Sequence, residues 1–159
     1  MINLIFAIKF VHVLAAAAMA GAWFAMAVFM LFAHRSGNPS VLALVARFVV
    51  GVEMVVMIPA LALQPLTGFP LAWAIGLAPL DEFWIVVSLA LFCLVVAGWF
   101  ATLRLEMRIR RLTQEAALAG APVPETYGRL FRLYSTLVWP TLAGMTALFA
   151  LMIWQPRLD

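Results

Sequence analysis

An all-α membrane protein, built as an antiparallel bundle of four transmembrane helices, is the fold class the sequence predicts, and three observations predict it. Residues 10–33, 41–63, 83–103 and 133–154 form four segments apolar enough to cross a hydrocarbon core of about 30 Å, which takes about 20 residues of helix. The third of these segments contains no charged residue. Composition agrees, because 67 % apolar residues, 11 % charged residues and a mean hydropathy of +1.09 lie outside the range of water-soluble domains of this length. The loops are too short to fold alone, so residues 1–159 read as a single integral membrane domain.

The first span follows Lys9 and runs uncharged to Ala33. Ala18, Met19 and Ala20 imitate a signal-peptidase site, but the apolar run continues past them, as an uncleaved helix requires. Ala15 to Ala18, Ala20, Gly21 and Ala22 form a patch of small residues that permits close helix approach, expected within the bundle, with a dimer contact as the alternative. His34 to Ser40, with Gly37, Asn38 and Pro39, make a tight polar turn, so the first two spans are antiparallel neighbours. The second span is expected to stop at Gln64 and Pro65. Beyond it, Thr67, Gly68, Pro70, Gly76 and Pro79 predict a broken apolar loop at the membrane interface, with Phe69, Trp73 and Trp84 as an aromatic belt. The third span continues beyond Leu103 as a basic helix with Arg104, Arg108 and Arg111 on one face, ending at Gly120 to Pro124. Pro140 falls inside the fourth span, where it should kink the helix or free a carbonyl.

Charge sets the orientation. Arg35 and Arg47 flank the first turn, and Arg104, Arg108, Arg110, Arg111, Arg129 and Arg132 lie between spans three and four, whereas the opposite side holds Lys9 and Arg157. The positive-inside rule therefore places both arginine-bearing turns in the cytoplasm and both termini outside. The net charge of +3 is directed at lipid headgroups rather than nucleic acid. Cys93, the single cysteine, cannot form an intrachain disulfide.

The sequence contains no P-loop, dinucleotide fingerprint, zinc-type Cys/His spacing or Ser/His/Asp arrangement, so no residue set assigns an enzymatic reaction. Function, where it resides in this chain, falls to polar groups in the membrane. With straight helices aligned at their hydrophobic boundaries, His12 is level with Ala60, Leu61, Trp84, Leu151 and Met152, and Glu53 with Gly21, Cys93, Ala143 and Gly144. A neutral imidazole in an apolar bundle is a good axial ligand for haem iron, which makes His12 the candidate ligand of a haem b and Met152 a weaker thioether candidate. The plainer reading is an interfacial histidine bonded to a carbonyl, with Met152 as packing. His34 lies 22 residues beyond His12, about 33 Å along the same helix, so one chain cannot use both as ligands to one iron. Glu53 must be protonated, paired or wetted inside a span, and reads either as a proton relay or substrate contact, or as a structural carboxyl bonded to a carbonyl. Arg47 lies on another helical face and snorkels to the headgroups instead of pairing with it.

Lys9, Phe10, Val11 and His12 followed by a small-residue helix, the segment from Pro59 through Gln64, Pro65, Thr67 and Gly68, and the ending from Tyr127 and Arg132 through Met152 to Pro156 resemble a bacterial family of four-span integral membrane proteins of unknown function. The match covers nearly the whole chain. That family is similar, more distantly, to the copper-resistance D membrane domain and to the membrane-bound protoporphyrinogen oxidase, where a histidine early in the first span is associated with haem or metal. The resemblance implies a bacterial inner-membrane location and a haem-binding or redox-associated role for His12. Those distant families also use polar residues in later helices that have no convincing counterpart here, which counts against oxidase activity and copper transport. Two further readings stand beside the haem: a non-catalytic subunit that forms a homodimer or joins a larger membrane complex, and a small transporter using Glu53.

Overall fold

The computed structural model describes residues 2–156, which form five α-helices and one π-helical turn. Helix α1 spans Ile2–Ser36, α2 Pro39–Val52, α3 Ile58–Ala74, α4 Phe83–Leu118 and α5 Glu125–Trp154, and the π turn Glu53–Met57 joins α2 to α3 as one continuous rod. Four rods of 30 to 36 residues are long and apolar enough to cross a membrane. At about 1.5 Å per residue they measure about 45–54 Å, so each extends beyond the hydrocarbon that its apolar segment was expected to fill.

Local chemistry sets the ends of the rods. His34 and Arg35 occupy the last turn of α1, where cations suit the helix dipole, and Gly37 takes the left-handed conformation that closes it (φ 61°). Asn38 then caps α2 by accepting the Ser40 N–H, and Pro39 fills the first turn, where its missing donor costs nothing. The expected stop at Gln64 and Pro65 does not occur, because α3 continues through Pro65 and Pro70 to Ala74. Prolines are tolerated in membrane helices when other groups take up the freed carbonyls. The chain turns instead at Gly76 (φ 80°), with the Leu77 N–H bonded to the Ala72 carbonyl. The same device ends α4 at Gly120 (φ 59°), where Ala121 N–H bonds Ala116 carbonyl. Helix α5 passes through Pro140 unbroken.

Packing follows from which residues are small. Helices α4 and α5 make the most extensive pair, α2 lies against α4, and α1 lies against α2 and α3 while touching α5 only briefly. Gly98 admits the Thr141 side chain so closely that an added Cβ would sit 2.6 Å from its hydroxyl oxygen. On α1 the buried stripe is Ala15, Met19, Trp23, Met26 and Met30, whereas Ala17, Ala18 and Gly21 face outward. The packing expected of Gly21 inside the bundle is therefore absent, and no atom approaches its Cβ position. Trp73 is exposed as an interfacial aromatic should be, but Trp84 is buried against Ala72 and Ile85 rather than lying in the belt.

The turns, not the hydrophobic boundaries, set the register. Gly37, Pro39 and Ser40 line one crevice with Ala116, Ala117, Gly120, Ala121 and Pro122, so the two arginine-flanked turns lie side by side. Arg157 lies outside the described residues.

Candidate functional site

Counting away from these adjacent turns brings one residue of each rod to a similar depth. Trp23, Glu53 and Glu106 lie about 12–14 residues from the helix end at the nearer turn, and Tyr134 about nine residues into α5 after the non-helical residues 120–124, roughly 14–21 Å into the bundle. Each is shut away from the surface, Glu53 and Glu106 completely and Tyr134 to 2 % exposure.

Glu53 opens the π turn. Ile58 donates its N–H five residues back to the Glu53 carbonyl, and Pro59, which has no N–H and whose ring crowds the carbonyl four residues earlier, follows immediately. A single-turn π bulge beside a proline is thus where this rod presents a carboxyl inward. The Trp99 indole N–H donates to one carboxyl oxygen of Glu53, and the other oxygen has no partner. Glu106 approaches from α4, with neither carboxyl oxygen hydrogen-bonded. The two carboxyls are close enough to act on each other electrostatically, and the Tyr134 hydroxyl faces Glu106 without completing a well-formed hydrogen bond.

Among the described residues, the buried side-chain polar atoms without a partner are Trp23 Nε1, Glu53 Oε1, both oxygens of Glu106 and the Tyr134 hydroxyl. All fall in this one layer. Buried polar groups are otherwise almost always satisfied, and leaving a carboxyl unpaired costs several kcal/mol. Apolar residues of similar volume would serve a purely structural bundle as well or better.

The sequence pointed to Glu53 but not to its surroundings. Cys93, expected at its depth, faces outward, and the groups found there are Trp99 and Tyr134, six and about nine residues nearer the arginine end than expected. Aligning the hydrophobic boundaries ignored the long helical continuation of α4 and α5, which carries their turn level with Gly37. Glu106 was hidden between Arg104 and Arg108, inside a basic segment. The signal that reveals it is periodicity: Trp99, Thr102, Glu106, Ile109, Thr113 and Ala116 form one buried stripe at helical spacing, opposite the exposed Arg104, Arg108 and Arg111. Arg47 is exposed, on a face away from Glu53.

His12 occupies a separate place nearer the other end. Its Nδ1 lies 2.7 Å from the Thr67 hydroxyl, and that hydroxyl donates to the Leu63 carbonyl. The threonine proton being committed, Nδ1 must be the donor, which leaves the lone pair of a neutral ring on Nε2. Gln64 donates to the His12 carbonyl at 3.3 Å, and Gly68 leaves room for the ring, since an added Cβ would lie 3.3 Å from its Cε1. These contacts all come from α3, whereas Met152 lies on α5 and is 43 % exposed. His34 sits 22 residues away on the same unbroken helix, hydrogen-bonded through Nδ1 to the Tyr127 hydroxyl at 2.8 Å. No group of three or more His, Cys, Asp or Glu side chains among the described residues clusters as a metal would need.

Four long apolar rods enclosing a layer of polar side chains define an integral membrane protein. The chain belongs to the DUF2269 family, described as predicted integral membrane protein, whose model matches residues 6–156. No curated protein and no solved structure matches it.

Proposed function

We propose that this protein handles protons within the membrane, with Glu53 and Glu106 as the proton-binding pair. The observation that carries the reading is that two fully buried carboxyls lie close enough to act on each other electrostatically and three of their four oxygens lack a hydrogen-bond partner. Two like charges buried together repel, and protonation of one relieves the repulsion, so such a pair is suited to hold a proton and exchange it. Trp99 anchors one carboxyl, and Tyr134 supplies a hydroxyl able both to accept and to donate. Such a pair suits a small proton-coupled transporter or a relay serving a larger membrane complex, in a bacterial cytoplasmic membrane with the arginine-bearing turns inside and both termini outside. In proteoliposomes carrying a pH gradient, the wild type is expected to accelerate its decay, and Glu53→Gln or Glu106→Gln to abolish the acceleration. Unchanged decay in either variant removes that residue from the relay.

A second reading rests on a different observation. His12 is oriented by Thr67 so that Nε2 carries the lone pair, the form in which a histidine ligates haem iron when its other nitrogen is held by a hydrogen bond. Haem b bound through His12, with Met152 a far weaker second candidate because it does not share the α3 contacts, would make the protein a redox partner. Oxidised and dithionite-reduced spectra of protein from haem-replete cells test it: a Soret band lost in His12→Ala supports it, and no Soret band ends it. Assembly as a homodimer or within a larger complex would use the outward small residues Ala17, Ala18 and Gly21.

A further inference from the structure

We infer that His34 is the group through which the buried carboxyl pair exchanges protons with the arginine-bearing end of the bundle, and that the Phe131 ring is the gate on that route. The inference rests on the reading of Glu53 and Glu106 as a proton site. The layer is off centre, roughly 14–21 Å from the arginine-flanked turns and 30 Å or more from the far helix ends. The longer way holds buried apolar side chains, among them Met19, Met57, Ala60, Val95 and Met145, while the hydroxyls of Thr67, Ser88 and Thr141 there are bonded to carbonyls of their own helices and His12 is tied to Thr67. The shorter way carries an ionisable group linked to the layer by ring contacts.

Tyr134 faces Glu106, and Phe131, one turn along α5, packs against Tyr134 with ring centroids 5.9 Å apart. The His34 imidazole, from the end of α1, stacks on Phe131 at 3.7 Å and within 11° of parallel. Tyr127 holds His34 Nδ1 at 2.8 Å, while Nε2 makes no hydrogen bond among the described residues. Phe131 thus touches both a phenol that faces the carboxyls and a half-buried imidazole at the bundle end. The side chains that act on one another in the layer are Glu53 from the π turn, Trp99 and Glu106 from α4, and Tyr134 from α5, with Trp23 of α1 buried at a similar depth. At the His34 end they are Tyr127 and Phe131, with Arg35 exposed.

A phenyl ring carries no proton, so transfer needs Phe131 to swing aside and admit water. With its Nδ1–H donated to the Tyr127 oxygen, His34 takes a second proton at Nε2 from outside water and, returning from imidazolium to the neutral ring, gives that proton to the admitted water. The water passes a proton to the Tyr134 oxygen as Tyr134 gives its own to a carboxylate oxygen of Glu106. One proton leaves His34, one arrives on the carboxyl pair, and no electron moves. Tyr127 acts as a positioning residue that aims the imidazole.

Hydrogen–deuterium exchange of the protonated carboxyl, followed by its infrared C=O stretch in detergent-solubilised full-length protein, tests the inference. His34→Phe, which keeps a flat ring on Phe131, should slow exchange about tenfold, and Tyr127→Phe should slow it less. Phe131→Leu should speed exchange about threefold by opening the way to local entry of water. An exchange rate within about twofold of wild type in His34→Phe, or no acceleration in Phe131→Leu, overturns the route. Thermal unfolding of each variant identifies any that fails to fold, and for these His34→Gln and Phe131→Val give the same two readouts. Absence of a carboxyl band in the wild type would instead defeat the reading of the pair itself, so the two failures are distinguishable.

Discussion

At the scale of the residue, Glu53 and Glu106 bring two carboxyls into the interior of a membrane bundle. Glu53 keeps one oxygen satisfied through the Trp99 indole, and losing that donor leaves a second buried acceptor unpaired. Trp99→Phe is therefore expected to destabilise the protein by about 1–3 kcal/mol in thermal unfolding. Replacing both carboxyls by Leu should leave the unfolding temperature nearly unchanged or raised, because removing three unpartnered carboxyl oxygens offsets the acceptor lost to the Trp99 indole N–H, while proton conduction is lost. A double variant that unfolds much earlier would mean the pair is structural. Gly98 offers a separate residue-scale test: Gly98→Ala drives a methyl into Thr141, at a cost of about 1–3 kcal/mol, and Thr141→Ala in the same chain should relieve most of it.

At the scale of the element, the rod made by α2, the π turn and α3 places both sequence-visible polar sites. Its π turn presents Glu53 inward, and its continuation through Pro65 and Pro70 brings Gln64, Thr67 and Gly68 against His12. Thr67→Val leaves the His12 Nδ1 donor without its acceptor and should cost about 1–2 kcal/mol in thermal unfolding, whereas Thr67→Ser should retain stability. Apolar length and caps made the rods legible, and Gly37, Gly76 and Gly120 mark their ends at the level of single residues. The prolines misled because a breaker in water is tolerated where neighbouring helices and side chains absorb its missing bond. Glu106 was illegible for a different reason, namely that local charge around Arg104 and Arg108 masked a stripe visible only over four helical turns.

For the whole molecule, the register follows from two adjacent turns, and depth read from hydrophobic boundaries erred by up to about nine residues. That alignment is also what gathers Trp23, Glu53, Glu106 and Tyr134 from four rods into one layer. On a Cys93→Ser background, cysteines placed at Ser36 and Ala119 should react with an impermeant reagent from the same side of the membrane, and one at Asp81 from the other. Labelling of Ser36 and Asp81 positions from a common side would contradict the up-and-down threading.

Infrared difference spectra between wild-type protein and each Gln variant read out whether the Glu53 and Glu106 carboxyls hold the proposed proton. A protonated-carboxyl C=O band that diminishes in both Glu53→Gln and Glu106→Gln is the predicted result. A wild-type spectrum without that band, or one untouched by either substitution, would contradict it.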